Sequence, residues 1–343
     1  MISKLKEQLL YKYDKPIIWN LSCFGNEYQM FILDNVIEIL NEYGFSNPFT
    51  TIHGSYSCKY NGGRSAIYTN SKTNIENKIH HYNKLGIGIK LTFSNRANTA
   101  DTFEEEEMRW YLDLLNETKG IGNGIICVND DFAELVKKNY PDLDLVASHV
   151  KVELETKMGI TDTSDYYNSK FDLYDIVVCN TARAFEDDFL HNITHPEKLE
   201  FIVNRSCTTN CQFAKYHHEL IDKIQERKFA VNNNQKKLLM DRQYLDTKKK
   251  INDLLKTCEE IKEKNIHNKI CRQMINREEI NYLANTYNIT KFKIEGRDLS
   301  NFEFLVNLSR YILSRESIYD LIHHNFAEQQ KNIEIITKNR YID

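Results

Sequence analysis

Residues 88–148 read GIKLTFSNRANTADTFEEEEMRWYLDLLNETKGIGNGIICVNDDFAELVKKNYPDLDLVAS. Gly88 to Phe93 (GIKLTF) is a short apolar run of strand length. Residues 102–118 carry apolar positions at helical spacing. They open on Thr102 and an acidic run, Glu104 to Glu107, placed where a helix dipole favours negative charge. Gly124 to Val128 (GIICV) is a second strand, Asp130 to Asn139 a short helix, and Asp144 to Ser148 (DLVAS) a third strand. Strands separated by helices of crossover length pair in parallel, with the helices outside.

The same alternation extends in both directions. Asp14-Lys15-Pro16 ends a first helix, and Ile17 to Leu21 (IIWNL) follows as a strand. Residues 27–43 form a helix stopped by Gly44, Phe49 to His53 a strand, and residues 72–85 a helix. Leu173 to Cys179, Leu199 to Asn204 and Lys291 to Ile294 complete a set of eight strands, and residues 299–314 form the helix after the last. Eight such units predict an α/β fold, a (β/α)8 TIM-like barrel. An open, doubly wound sheet is the rival that periodicity does not separate. Residues 212–270 are long, helical and rich in Lys, Asn and Gln, so they read as a helical insertion between the seventh and eighth strands. The barrel domain then spans residues 1–314, and residues 315–343 form a C-terminal helical tail.

Composition sets limits. The chain has 343 residues, 41% hydrophobic and 27% charged, enough for a sizeable core. Twelve glycines and four prolines exclude collagen-like and Pro-rich designs. A net charge of −4 lacks the basic excess of a dedicated nucleic-acid binder, although a local basic patch (Lys223, Lys228, Lys236, Lys237, Lys248 to Lys250) leaves nucleic acid open as a partner. Interspersed Glu and Asp equally make that stretch a solvated helix face. No run reaches the ~18 apolar residues of a membrane helix, and the N-terminus lacks a signal-peptide core. A cytoplasmic protein without membrane contact is expected, so the eight cysteines are small core residues or metal ligands rather than disulfides.

The stretch Phe201 to His218 (FIVNRSCTTNCQFAKYHH) carries the most chemistry. Cys207 and Cys211 follow a strand end in a C-x3-C loop, at what would be the C-terminal mouth of a barrel. Two thiols this close can bind one metal or two corners of an iron–sulfur cube, and Cys258 and Cys271 could complete four thiolates. Zinc on Cys207, Cys211 and His217 or His218 is open, as is coincidence. Cys127 and Cys179 suit core packing, whereas Cys23 and Cys58, just past strand ends, could line a site.

Other strand ends are polar: His53, Ser94, Asn95, Ser148, His149, Asn180 and Asn204. In a barrel they would face the active site. Lys293, Glu295 and Arg297 alternate along the last strand, so period two puts them on one face. There they would hold an anionic substrate or form a structural ion-pair network. Gly62-Gly63-Arg64 lets backbone N–H groups approach an oxyanion, or is a plain turn. Tyr56 and Tyr60 flank it, to stack on a planar substrate or to pack.

The segment VNRSCTTNCQFAKYHH resembles the V-N-E-x-C-x-x-x-C-x-x-x-x-x-H segment of collagenase-like proteins of the peptidase U-32 family. Phe292 to Arg297 (FKIEGR) resembles that family's K-I-E-G-R hallmark, Ile275 to Ile280 (INREEI) its I-R-P-E-D-L, and Asn61-Gly62-Gly63-Arg64 a loop of divergent members. The resemblance implies a (β/α)8 barrel and a 4Fe-4S cluster, carried here by Cys207, Cys211, Cys258 and Cys271. It also implies oxygen-independent hydroxylation of RNA bases or quinone precursors, with prephenate as oxygen source. Arg205 stands where the motif has Glu, which puts that carboxylate's role in doubt.

The expected function is therefore a U-32-like iron–sulfur barrel enzyme modifying a small molecule, nucleic acid or peptide. Its site would comprise Glu295, Arg297 and His53 as catalytic groups and Arg64, Gly62, Gly63, Asn204 and Lys293 as substrate-binding groups. The alternatives are a metal-assisted peptidase, for which neither H-E-x-x-H nor G-x-S-x-G is present, and a non-enzymatic module that binds a partner protein around a structural metal.

Overall fold

The computed structural model describes residues 10–61, 70–156, 160–205, 211, 213–230, 235–265, 274–296 and 299–314. Eight parallel strands close into a barrel in chain order: β1 (Ile18–Phe24), β2 (Phe49–Gly54), β3 (Gly88–Phe93), β4 (Gly124–Cys127), β5 (Asp144–Ala147), β6 (Ile176–Cys179), β7 (Leu199–Ile202) and β8 (Lys291–Ile294). The pairing of β1 with β8 closes the ring and decides against the open sheet.

The strand sequences explain the closure. On β4, β5 and β6 every residue but Asp144 is buried, as expected of strands covered on both faces. The register puts Asn20, Thr51, Gly88, Gly124, Asp144, Ile176, Glu200 and Lys291 on one parity around the barrel. Their i+2 neighbours include Lys90, Ile126, Val146, Val178, Ile202 and Lys293. Ile126, Val146, Ile176, Val178 and Ile202 form a small apolar cluster separate from the main core, so this parity is the one that faces the lumen. The other parity, with Leu21, Cys23, Leu91, Cys127 and Phe292, packs in the main core against the helices.

Other inward positions are polar or charged. Asn20 Nδ2 donates to Glu200 Oε1 at 3.1 Å, and His53 Nδ1 lies 3.0 Å from Asn20 Oδ1. Lys293 Nζ stands 3.9 Å from Glu200 Oε2, and Lys90 Nζ donates to Asp144 Oδ2 at 2.5 Å. Charges taken out of water need such partners.

The helix expected over residues 102–118 is two helices, α3 (Ala100–Phe103) and α4 (Glu106–Asn116). Residues Phe103 and Met108 are both buried. An unbroken helix would set them about 140° apart, and the break at Glu104-Glu105 rephases the chain so that both reach the core. Before them, α1 (Glu27–Glu42) and α2 (Lys72–Lys84) follow β1 and β2. After β4 come α5 (Asp130–Asn139), α6 (His149–Glu155), α7 (Ser164–Asn168) and α8 (Asp187–His191). Between β7 and β8 lie α9 (Ala214–Ala230), α10 (Gln235–Met240), α11 (Arg242–Asn265) and α12 (Arg277–Tyr287), and α13 (Asn301–Tyr311) follows β8. Three of these, α9 to α11, form the helical insertion. The expected tail, residues 315–343, lies outside the described residues, as does most of the expected first helix.

Gly54 ends β2 with φ of +151°, and a Cβ there would stand 1.9 Å from the Phe24 carbonyl oxygen. Backbone cannot yield as a side-chain tip can. Gly54→Ala should cost about 3 kcal/mol or more, read as a fall in the urea midpoint at unchanged slope. A loss near the ~0.5 kcal/mol of an ordinary surface change would show that β1 and β2 can separate there.

Candidate functional site at the barrel mouth

Strand ends bring the site together. Ser148 caps α6 by accepting from Val150 N at 3.2 Å, and this sets His149 and Glu153 one turn apart on a short helix leaving β5. Asn204 and Arg205 leave β7, and Glu295 leaves β8. The Asn204 amide clasps the Glu295 backbone both ways: Nδ2 donates to the carbonyl at 2.7 Å, and Oδ1 accepts from the N–H at 2.8 Å. Asn204 thereby fixes where Glu295 stands.

Glu153 is the hub of a buried cluster. Its Oε1 accepts from Arg205 Nη2 and lies 3.4 Å from His149 Nε2, and its Oε2 lies 3.1 Å from His218 Nε2. Burial alone would raise the Glu153 carboxyl. The Arg205 guanidinium and the two imidazoles outweigh burial and hold it well below the ordinary carboxylate range. His149 is pushed down to about 3, first by burial and then by Arg205, against the opposing pull of Glu153 and Glu295. Glu295 is thus within electrostatic reach of His149. His218 comes from α9, which crosses the mouth and is held a second time where Arg96 Nε donates to Asp222.

A neutral His149 gives the fold a pH dependence. Its ordinary value is 6.5, so between pH 6.5 and 3 the unfolded chain binds a proton that the folded chain refuses. Stability is full above pH 6.5 and falls as pH drops, by up to about 1.4 kcal/mol per unit. Glu153 adds to this only below its ordinary 4.5. Urea melts of His149→Gln should therefore be flatter than wild type between pH 6.5 and 4.5. Parallel curves over that window would mean that His149 titrates alike in both states.

His53 and Lys293 lie below the mouth, inside the lumen, His53 beside Asn20 and Lys293 facing Glu200. Cys211 is half-buried just ahead of α9, where its carbonyl accepts from Ala214 N at 3.0 Å, and Cys258 is half-buried on α11. Cys207, Cys271, Gly62, Gly63, Arg64 and Arg297 lie outside the described residues.

Four other thiols are fully buried. Cys23 falls within β1 rather than beyond it, on the outward parity, and Cys58 is enclosed too, so neither lines the mouth. Burial pushes the Cys58 and Cys127 thiols up to about 12. Tyr56 and Tyr60 pack in the core, with hydroxyls donating to Glu27 at 2.6 Å and Glu105 at 2.7 Å. Among the described residues no group of three or more His, Cys, Asp or Glu is arranged to hold a metal. Nor is any described helix long and apolar enough to cross a membrane.

The sequence reading missed Glu153 and the pairing of Arg205. The one signal was His149 and Glu153 at i and i+4 directly after a strand.

A comparison with solved structures gives one likeness. The chain is similar to the U32 peptidase Mk0906. The two share 12% identity over 84% of this chain and 97% of that one, with a TM-score of 0.46. No family model matches, and no curated protein does.

Proposed function

We propose that this chain is a U-32-like barrel enzyme that holds a 4Fe-4S cluster on Cys207, Cys211, Cys258 and Cys271 and modifies a substrate at the C-terminal mouth. The observation that carries this reading is an isolated antiparallel bridge between Asn204 and Met274, backed by Ile275 N donating to Val203 O at 3.0 Å. It ties together the two ends of the insertion. Cys207 is three residues from one bridged residue and Cys271 three from the other, so the covalent chain keeps each within about 11 Å of its side of the bridge.

The other pair has support of its own. Of the six described thiols, the four outside the proposed set are enclosed in the core, and the two inside it, Cys211 and Cys258, keep some access. Arg227, at the end of α9, pairs with Asp241, next to the start of α11, and the two helices pack together. The donor set suits an iron–sulfur cluster, since each iron takes a thiolate. Free thiols also suit a reducing cytoplasm.

When bound, such a cluster supplies one-electron transfer or a Lewis-acidic iron. The protein's own groups do the rest. Neutral His149 packs against Glu153 beneath the mouth without adding a charge there. Glu153, held ionised, fixes Arg205 and His218. Glu295 supplies a carboxylate at the rim, held by Asn204, and Arg64 and Arg297 are proposed to hold an anionic portion of the substrate. Anaerobic purification should yield a brown protein with about four irons per chain. Zinc in its place, or colourless protein after reconstitution with iron and sulfide, defeats the proposal.

A further inference from the structure

The tip of the insertion combines exposed apolar side chains with a local excess of positive charge. Helix α10 ends at Met240 and α11 starts at Arg242, so a single residue, Asp241, makes the corner. That corner is fixed from inside. Asp241 N donates to Leu238 O at 3.1 Å, and the Asp241 carboxylate accepts from Tyr244 N at 2.9 Å and from Arg227 Nε of α9 at 3.0 Å. Leu238 is buried, whereas its neighbours Leu239 and Met240 are 65% and 85% exposed. Met240 is the most exposed large apolar side chain among the described residues, and Leu245, one turn into α11, is exposed as well. Single exposed apolar residues are ordinary on a surface. Three gathered around one rigid corner form a patch.

The charge around them has one sign. Residues 236–250 carry Lys236, Lys237, Arg242, Lys248, Lys249 and Lys250, all exposed, against Asp241 and Asp246. Asp241 is already taken up by Arg227. The whole chain has a net charge of −4, so the tip is opposite in sign to the protein that carries it. Lys228 of α9 shows the crowding: burial first, and then Lys248, hold its ammonium below the ordinary lysine value. On α11 the two characters share a face. Tyr244, Ile251, Leu254 and Cys258 form its buried or half-buried stripe, and Arg242, Leu245 and Lys249, at i, i+3 and i+7, form an exposed one.

We propose that this tip docks the protein on an anionic lipid bilayer, with Leu239, Met240 and Leu245 entering the headgroup layer and the lysines and Arg242 lying at the level of the lipid phosphates. Interfacial binding asks for that pairing: apolar side chains for depth, and cations for the acidic lipid surface. A nucleic acid would use the cations, but it is held through phosphate contacts and base stacking, which leave Leu and Met unanswered. An acidic helix of a partner protein needs a groove to lie in. Side chains as exposed as Leu239 and Met240 project from a corner rather than line a groove. Peripheral docking needs no membrane-crossing helix, and the described residues hold none. It parts from the expectation of a protein without membrane contact only at this tip.

The test uses the full chain and sedimentation with vesicles of phosphatidylcholine, either pure or with about one third phosphatidylserine, at physiological salt. The protein should sediment with the anionic vesicles and stay in solution with the neutral ones. Leu239→Ser with Met240→Ser should weaken binding to the anionic vesicles by about tenfold, because that binding scales with buried apolar area. Lys248→Gln, Lys249→Gln and Lys250→Gln together should weaken it by about a hundredfold. Both sets change exposed side chains, so melting temperatures should stay within about 2 °C of wild type.

No binding to the anionic vesicles overturns the proposal, and so does equal binding to the neutral ones. Binding that the serine pair leaves unchanged overturns it too, because charge alone then explains the contact. Single-stranded poly(U) RNA that binds more tightly than the vesicles, and equally well to the serine pair, would assign the tip to nucleic acid and defeat the lipid reading. Iron content enters none of these readouts. Their failure leaves the cluster standing, and a colourless protein leaves this inference standing.

Discussion

Arg205→Leu should lower the stability of the fold by about 3–5 kcal/mol, the loss expected when one partner of a buried pair is removed. Arg205 and Glu153 are 6% and 15% exposed in their side chains, so neither is screened as a surface pair is. With Arg205 gone, Glu153 keeps the imidazoles of His149 and His218 beside it and no guanidinium. Its carboxylate must then stay buried and under-compensated or take up a proton. The double variant Arg205→Leu with Glu153→Leu should recover much of the loss, because apolar residues of similar volume replace a buried ion pair at little cost. Urea melts at pH 7 on the three variants and wild type measure both quantities. A single-variant loss below about 1 kcal/mol would mean that water reaches the pair, and the cluster would then be a surface feature.

Cys211→Ser should abolish most of the iron bound by anaerobically reconstituted protein while leaving the fold intact. Cys211 lies at the half-buried start of α9, outside the main core. A serine there removes a thiolate donor and little packing. Cys207→Ser, Cys258→Ser and Cys271→Ser should behave alike. Cys179→Ala is the control: that thiol is fully buried in the core, so its loss should cost stability and leave the iron count unchanged. Iron retained at about four per chain in Cys211→Ser would remove this residue from the ligand set. Iron lost in Cys179→Ala as well would trace the effect to folding.

Arg205 meets its carboxylate from far along the chain: Glu153, 52 positions away, stands on the helix that leaves β5.

The barrel was legible in the sequence because its signals are local. GIKLTF, DDFAELVKKN and KFKI coincide with β3, α5 and β8 in both bounds. In each, hydrophobic period and flanking turn or cap residues agree, so the backbone state is set within a few residues of itself. The count of eight alternating units carried the closure, which no single segment contains.

What only the tertiary structure decided is which side chains meet. His149 and Glu153 could be paired by helical spacing, but His218 reaches Glu153 from 65 positions away, on a helix of the insertion. The Asn204–Met274 bridge joins the two ends of that insertion across 70 positions. Lys293 illustrates the same limit: period two placed it correctly on the inner face of β8, yet only the stagger of the closed barrel set it opposite Glu200 on β7. Side-chain periodicity determines which face a residue takes, because that follows from backbone geometry alone. The partner across that face depends on register and closure, which are properties of the whole ring.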